Sequence, residues 1–277
     1  MDFIKRIFGT GETARGGGGT ASAALSREAV EERLRGTGDR SLAGLDLRGA
    51  DLGGMDLAGA DLARAVLCGT SLKGADLRDA DLTGADLCGA DFTDADLTGA
   101  VLRDASCMNT GSTTPAVFVN AKMAGASLLG AELTRADLSG ADLTGASLYE
   151  ATLHKVKLRG ALLVNAQMGG ANLRHADLGD ADLTGADLRT ADLSKVAARG
   201  ATFAGATLVR ANLAAAVLEG ADLSGADLSE ADLQDANLRG ANLRGASLSH
   251  AEMDSAVLDG ADLEGVDTTV CRNYAVT

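Results

Sequence analysis

At 277 residues and 46% apolar content the chain is long enough to bury a large core, but that core is built from Ala and Leu: there are five Phe, two Tyr and no Trp. A net charge of −14 makes free nucleic acid a poor partner, because the field repels phosphates. One Pro and 36 Gly with no Gly-X-Y period exclude Pro-rich disorder and collagen, no run approaches the ~20 apolar residues of a membrane span, and four Cys do not make a disulfide framework.

The chain opens with MDFIKRIF, which places Phe3, Ile4, Ile7 and Phe8 around Lys5 and Arg6. It has no apolar h-region, so it is not read as a secretory signal, and a cytoplasmic protein is expected. It reads as a disordered tail, with a short docking tag for a membrane surface or a partner groove as the alternative. The Gly-rich RGGGGTASAA (15–24) reads as a flexible linker, which makes 1–24 a tail. LSREAVEERLRG (25–36) predicts a capping helix within 25–40: Ser26 serves as N-cap, Leu25 staples to Val30, and Ala29, Val30 and Leu34 face the domain that follows.

From residue 41 the sequence becomes periodic. Leu recurs every five residues from Leu42 to Leu102 (Phe92 once in its place), ends at Cys107, and resumes from Phe118 to Leu263. A small residue, nearly always Ala, stands two positions before each, and Asp, Asn, Ser or Thr usually lies between them. A period of five fits neither a helix nor an ordinary strand and points to a solenoid. GADLTGADLCGADF and its neighbours resemble the A(D/N)Lxx consensus of the pentapeptide-repeat family over roughly residues 41–268. The resemblance implies an all-β fold, a right-handed quadrilateral parallel β-helix with four repeats per coil and about eleven coils, its Leu and Ala pointing inward.

The last residue of each repeat after 117 supports four repeats per coil independently. Sorted by twenty, one column reads Asn120, Gly140, Gly160, Asp180 and then Gly, and the next Gly125, Gly145, Asn165 and then Gly. A third mixes Gly with Glu150, Thr190, Arg210, Glu230 and His250. The fourth has no Gly: Arg135, Lys155, His175, Lys195, Ala215, Asp235, Ser255. Two corners of each coil are therefore expected to need a left-handed residue and two are not.

MNTGSTTPAV (108–117) breaks the period, shifting the register by one residue between 107 and 118. It is expected to form a one-residue bulge or small corner loop, or alternatively a projecting recognition loop such as some relatives of the family use. Residues 269–277 are too short for more than a flap, and an end so lightly covered is a candidate for homodimerisation, which proteins of this family achieve through their C-terminal ends.

Twenty Asp occupy the outward slot between Ala and Leu. Asp56, Asp76 and Asp96 form one acidic column, and elsewhere the acids are spread around the rod. In ATLHKVKLRG (151–160), Lys157 falls between Asp137 and Asp177 of adjacent coils, where it relieves like-charge repulsion. Lys155 belongs to the Gly-free column, so Arg135, Lys155, His175 and Lys195 make a basic stripe suited to an acidic partner. Tyr149, Leu162 and Val164 offer a possible apolar patch.

No catalytic constellation, cofactor motif or metal site is expected. His154, His175 and His250 do not cluster with Cys, and Cys68 and Cys88, in the same outward slot of adjacent coils, read as free thiols with a disulfide geometrically open to them. The expected function is a non-enzymatic protein-interaction scaffold. The alternatives are a DNA mimic binding DNA gyrase or topoisomerase IV, as the quinolone-resistance branch of the resembling family does, and a membrane-proximal spacer.

Overall fold

A computed structural model of the chain describes residues 24–36, 40–107 and 114–267. Within it the repeat is a unit of one bridging residue and one tight turn. Ala75-Asp76-Leu77-Arg78-Asp79 is typical: Asp76 forms parallel bridges to Asp56 and Asp96, while Arg78 and Asp79 turn the corner. Every bridge is parallel and, outside the break, joins residues twenty apart, so four repeats make one turn of a four-sided β-helix whose sides are each a single bridge wide.

The backbone hydrogen bonds follow from this geometry. The bridging N–H donates to the previous coil, as Asp76 N does to Met55 O (2.9 Å). The Leu and last turn N–H groups donate to the next coil, as Leu57 N does to Asp76 O and Gly59 N to Arg78 O (2.7 Å each). Within the turn, Ala60 N donates to Leu57 O (2.9 Å). That leaves the first turn N–H without a backbone acceptor, and the Asp side chain of the same repeat supplies one: Asp56 Oδ1 accepts from Ala58 N (3.1 Å), Asp61 Oδ1 from Ala63 N (3.0 Å) and Asp96 Oδ1 from Thr98 N (3.1 Å). The acidity of the rod is thus first a consequence of closing its turns.

The inward Leu and Ala are almost without exception fully buried from Leu42 to Leu248. Phe92 and Phe118 occupy one column in successive coils and stack face to face, with ring centroids 4.7 Å apart and planes 2° from parallel. Each Phe thus accommodates the extra volume of the other.

Two sequence expectations are corrected. All four corners use a left-handed residue: Arg135, Lys155, His175 and Lys195 have φ of 56–66°, and Glu150, Thr190, Arg210, Glu230 and His250 have φ of 55–60°. The i+3 hydrogen bond with positive φ at the third position is that of a type II turn, and the same turn is made at every corner. The left-handed conformation is common to all four columns, so the Gly preference of two of them is not a conformational requirement. The break is also larger than a one-residue shift. Across it the bridges run Asp91 to Val117, Asp96 to Lys122 and Ser106 to Glu132, a spacing of 26 rather than 20. Ser106 and Val117 are consecutive bridging residues, so a single step holds six inserted residues. Whether this insertion projects as a loop lies mostly outside the described residues.

The capping helix α1 spans Arg27–Gly36, within the expected 25–40. Ser26 Oγ accepts from Ala29 N (3.4 Å), Val30 is fully buried, and Leu25 and Leu34 pack against the core. The polar part of the cap, which the periodicity did not reveal, closes the open edge of the first coil. The four bridging carbonyls there have no earlier coil to serve. Ser41 O accepts from Arg33 Nε (2.7 Å), Asp46 O from Leu25 N (2.9 Å), Asp51 O from Arg27 Nη1 (3.4 Å) and Asp56 O from Arg40 Nη2 (2.7 Å). Arg27 Nη1 also reaches Gly53 O (2.8 Å). The exposed edge is thereby satisfied by three guanidinium N–H groups and one backbone N–H in place of a strand.

Candidate partner-docking surface

The basic stripe forms on one corner, over coils whose turns interlock. Arg135 N donates to His154 O, Lys155 N to Arg174 O (2.9 Å each) and His175 N to Ser194 O (3.2 Å). Each last turn residue therefore lies beside the first turn residue of the next coil, and His154 and Arg174 join Arg135, Lys155, His175 and Lys195. Sorting only the last residue of each repeat misses these two, whereas both turn positions together reveal them. The corner carries six basic residues over four coils, about 15 Å along the rod at the spacing of adjacent strands.

All of the six except half-buried His154 are exposed. The His154 and His175 rings meet edge to face, centroids 5.6 Å apart. Desolvation holds His175 below its ordinary pKa, helped by the positive charges of Lys195, His154, Lys155 and Arg174. Arg174 lies 3.7 Å from Asp192, but among the described residues no ion pair reaches Arg135, Lys155 or Lys195. The bridging residues beside the corner are Glu132, Thr152, Asn172 and Asp192 before it and Asp137, Lys157, Asp177 and Ala197 after it; of the acids, Asp137 is held by Lys157, Asp177 by Arg159 and Asp192 by Arg174. Lys157, in contrast, is paired with Asp137 (3.0 Å) in the column Asp137–Lys157–Asp177, as its spacing predicts.

The acidic column is also present, but each carboxylate has its own cation. Arg40 binds Asp56 (3.0 Å), Arg78 binds Asp76 through Nε and Nη2 (2.8 and 2.6 Å), and Lys122, the next bridging residue, lies 3.8 Å from Asp96. Arg78 holds the Asp76 carboxyl at about 2.

Of the three residues of the possible apolar patch, Tyr149 and Val164 are half-buried. Leu162 is exposed, but Tyr149 lies flat over Gly169, where an added Cβ would stand 2.6 Å from its ring, and its hydroxyl donates to Asp187 Oδ2 (3.3 Å) two coils on. Phe3, Ile4, Ile7 and Phe8, the linker and the C-terminal flap lie outside the described residues. In the last coil Leu258, Ala261, Leu263 and Val266 are only partly buried, unlike their counterparts in earlier coils. Among the described residues no helix is long and apolar enough to cross a membrane.

The family model for pentapeptide repeats matches residues 46–84, 80–107, 116–148, 151–189, 191–230 and 231–267. The chain belongs to the pentapeptide-repeat family. Among solved structures, this pentapeptide-repeat protein is similar to HetL, a pentapeptide-repeat protein involved in heterocyst differentiation regulation from the cyanobacterium Nostoc sp. strain PCC 7120, at 30% identity over 91% of this chain and 100% of that one, with a TM-score of 0.40. It also matches Rfr23 from the cyanobacterium Cyanothece 51142 at 34% identity over 36% of this chain and 58% of that one (TM-score 0.23). Full-length QnrB1, a plasmid-mediated fluoroquinolone resistance protein, matches at 19% identity over 75% of this chain and 88% of that one (TM-score 0.20). No curated protein matches the chain.

Proposed function

We propose that this pentapeptide-repeat protein is a non-enzymatic scaffold, a right-handed rod of about eleven coils whose basic corner docks an acidic protein surface. The observation that carries the reading is the corner of Arg135, His154, Lys155, Arg174, His175 and Lys195, where three cations have no ion pair among the described residues of an otherwise acidic chain. A desolvated acidic partner gains from unpaired cations that do not first have to leave a carboxylate. The rigid turn backbone fixes their spacing, which limits the entropy lost on binding.

The DNA-mimic alternative draws less support. The Asp column is neutralised by Arg40, Arg78 and Lys122, and the Asp residues are already required to close turns. The decisive experiment is affinity capture from source-cell lysate at low and high salt, with wild type, Lys155→Glu/Lys195→Glu and Asp56→Asn/Asp76→Asn/Asp96→Asn in parallel. A partner lost from the Lys variant and kept by the Asp variant is the expected result. Gyrase or topoisomerase IV lost only from the Asp variant overturns it in favour of the mimic.

A further inference from the structure

Cys68 and Cys88 occupy the first turn position of consecutive coils, just ahead of the six-residue insertion. Both are reduced thiols. Although the slot normally points outward, Cys88 is buried at 2% exposure, and its thiol donates to the carbonyl of Cys107. Asp86, the bridging residue two positions before Cys88, is 7% exposed and is the one buried charged side chain among the described residues. Its Oδ1 accepts from Cys88 N (3.2 Å), the same turn-closing bond that other bridging Asp residues make. Those Asp residues are mostly half-exposed and many hold a Lys or Arg, whereas no ion pair among the described residues reaches Asp86. A buried carboxylate of this kind is normally matched by a cation or coordinates a metal.

We propose that Cys68, Cys88 and Asp86 form a binding site for a thiophilic divalent cation, zinc(II) in the first instance. The two sulfurs and a carboxylate oxygen lie within 4.8 Å of one another. A tetrahedral zinc with Zn–S near 2.3 Å places its sulfurs ~3.8 Å apart, so the three groups close on an ion by rotamer adjustments of about 1 Å. Binding releases the two thiol protons and transfers no electrons. Two thiolates, one carboxylate and a dication leave one net negative charge in place of an uncompensated carboxylate. Water fills the fourth position from the half-exposed Cys68 side. Thiolates select zinc over magnesium or calcium, which take oxygen ligands. The ion would staple two consecutive coils at the point where the next step departs from the regular spacing.

The single substitutions that test this place residues the same slots hold elsewhere in the chain: Ser139 and Ser224 occupy the Cys slot, and Asn172 and Asn212 the Asp slot. Cys68→Ser, Cys88→Ser and Asp86→Asn are therefore expected to fold, which circular dichroism checks. The full-length chain, kept reduced with a phosphine, is titrated with cobalt(II), and zinc(II) is then added to displace it. The expected result is one cobalt per chain, with an intense sulfur-to-cobalt charge-transfer band that zinc abolishes. Cys68→Ser and Cys88→Ser weaken binding at least 100-fold, and Asp86→Asn weakens it at least 10-fold while the band persists at saturation. Cys271→Ser leaves both unchanged. Zinc raises the melting temperature of wild type and Cys271→Ser but not of Cys68→Ser. No charge-transfer band in the wild type, or a band that survives in the Cys68→Ser/Cys88→Ser double variant, overturns the proposal.

Discussion

Side chains at the last turn position stack on their counterpart in the next coil, and this sets where Gly is needed for room, beyond the lower cost at which it takes the left-handed conformation. Gly140 and Gly145 both have positive φ, 68° and 64°. A Cβ at Gly140 would lie 2.6 Å from Asn120 Oδ1 of the preceding coil, whereas a Cβ at Gly145 meets nothing within 4 Å. Gly145→Ala therefore carries only the left-handed cost of an L residue, about 1–2 kcal/mol. Gly140→Ala carries that cost and also displaces the Asn120 amide, which donates to Asp94 Oδ1 (3.3 Å). Losing that hydrogen bond costs about 1 kcal/mol and an off-rotamer side chain about 0.5–1.5 kcal/mol, so Gly140→Ala should exceed Gly145→Ala by roughly 2 kcal/mol. In an Asn120→Gly background the excess should vanish. Urea unfolding of the four variants measures this. Hydrogen exchange of the Gly140 amide, which donates to Arg159 O (2.9 Å), supplies a local reading in a solenoid that can open by segments. Equal costs for the two Gly variants would refute the stacking argument.

Phe118→Leu should cost more than Phe203→Leu by about 0.5–1.5 kcal/mol, because only Phe118 loses a stacked ring, and urea midpoints at constant slope would show it. The Asp76 carboxyl, at about 2 in the fold against 3.8 ordinarily, contributes stability that is present above about pH 4 and is lost as pH falls toward 2. In Arg78→Gln, carboxyl titration by NMR should return Asp76 toward 3.8. His175, held down by desolvation and its basic neighbours, resists protonation in the fold, so it destabilises the chain as pH falls below its ordinary 6.5. Lys195→Met should raise the His175 pKa in an imidazole NMR titration, and no shift would place the cause in desolvation alone.

The sequence alone determined a solenoid of four repeats per coil, from its period of five and the sorting of Gly by twenty, while the β-helix with buried Leu and Ala was what its resemblance to pentapeptide repeats implied; the bridges and burial bear both out. It also determined the stack of Lys157 between two Asp residues and the basic column, since residues twenty apart are neighbours on any such rod. The tertiary structure decided everything that depends on backbone hydrogen bonding or on contacts outside the period. The Arg27, Arg33 and Arg40 bonds to the first coil are of this kind, since a capping side chain has no repeat to announce it. So is the eleven-residue step after Ser106, where only the bridges tell one large insertion from two slipped repeats. Asp86 shares its slot with nineteen other Asp residues in the sequence. Burial beside two thiols is what distinguishes it, and burial belongs to the folded chain.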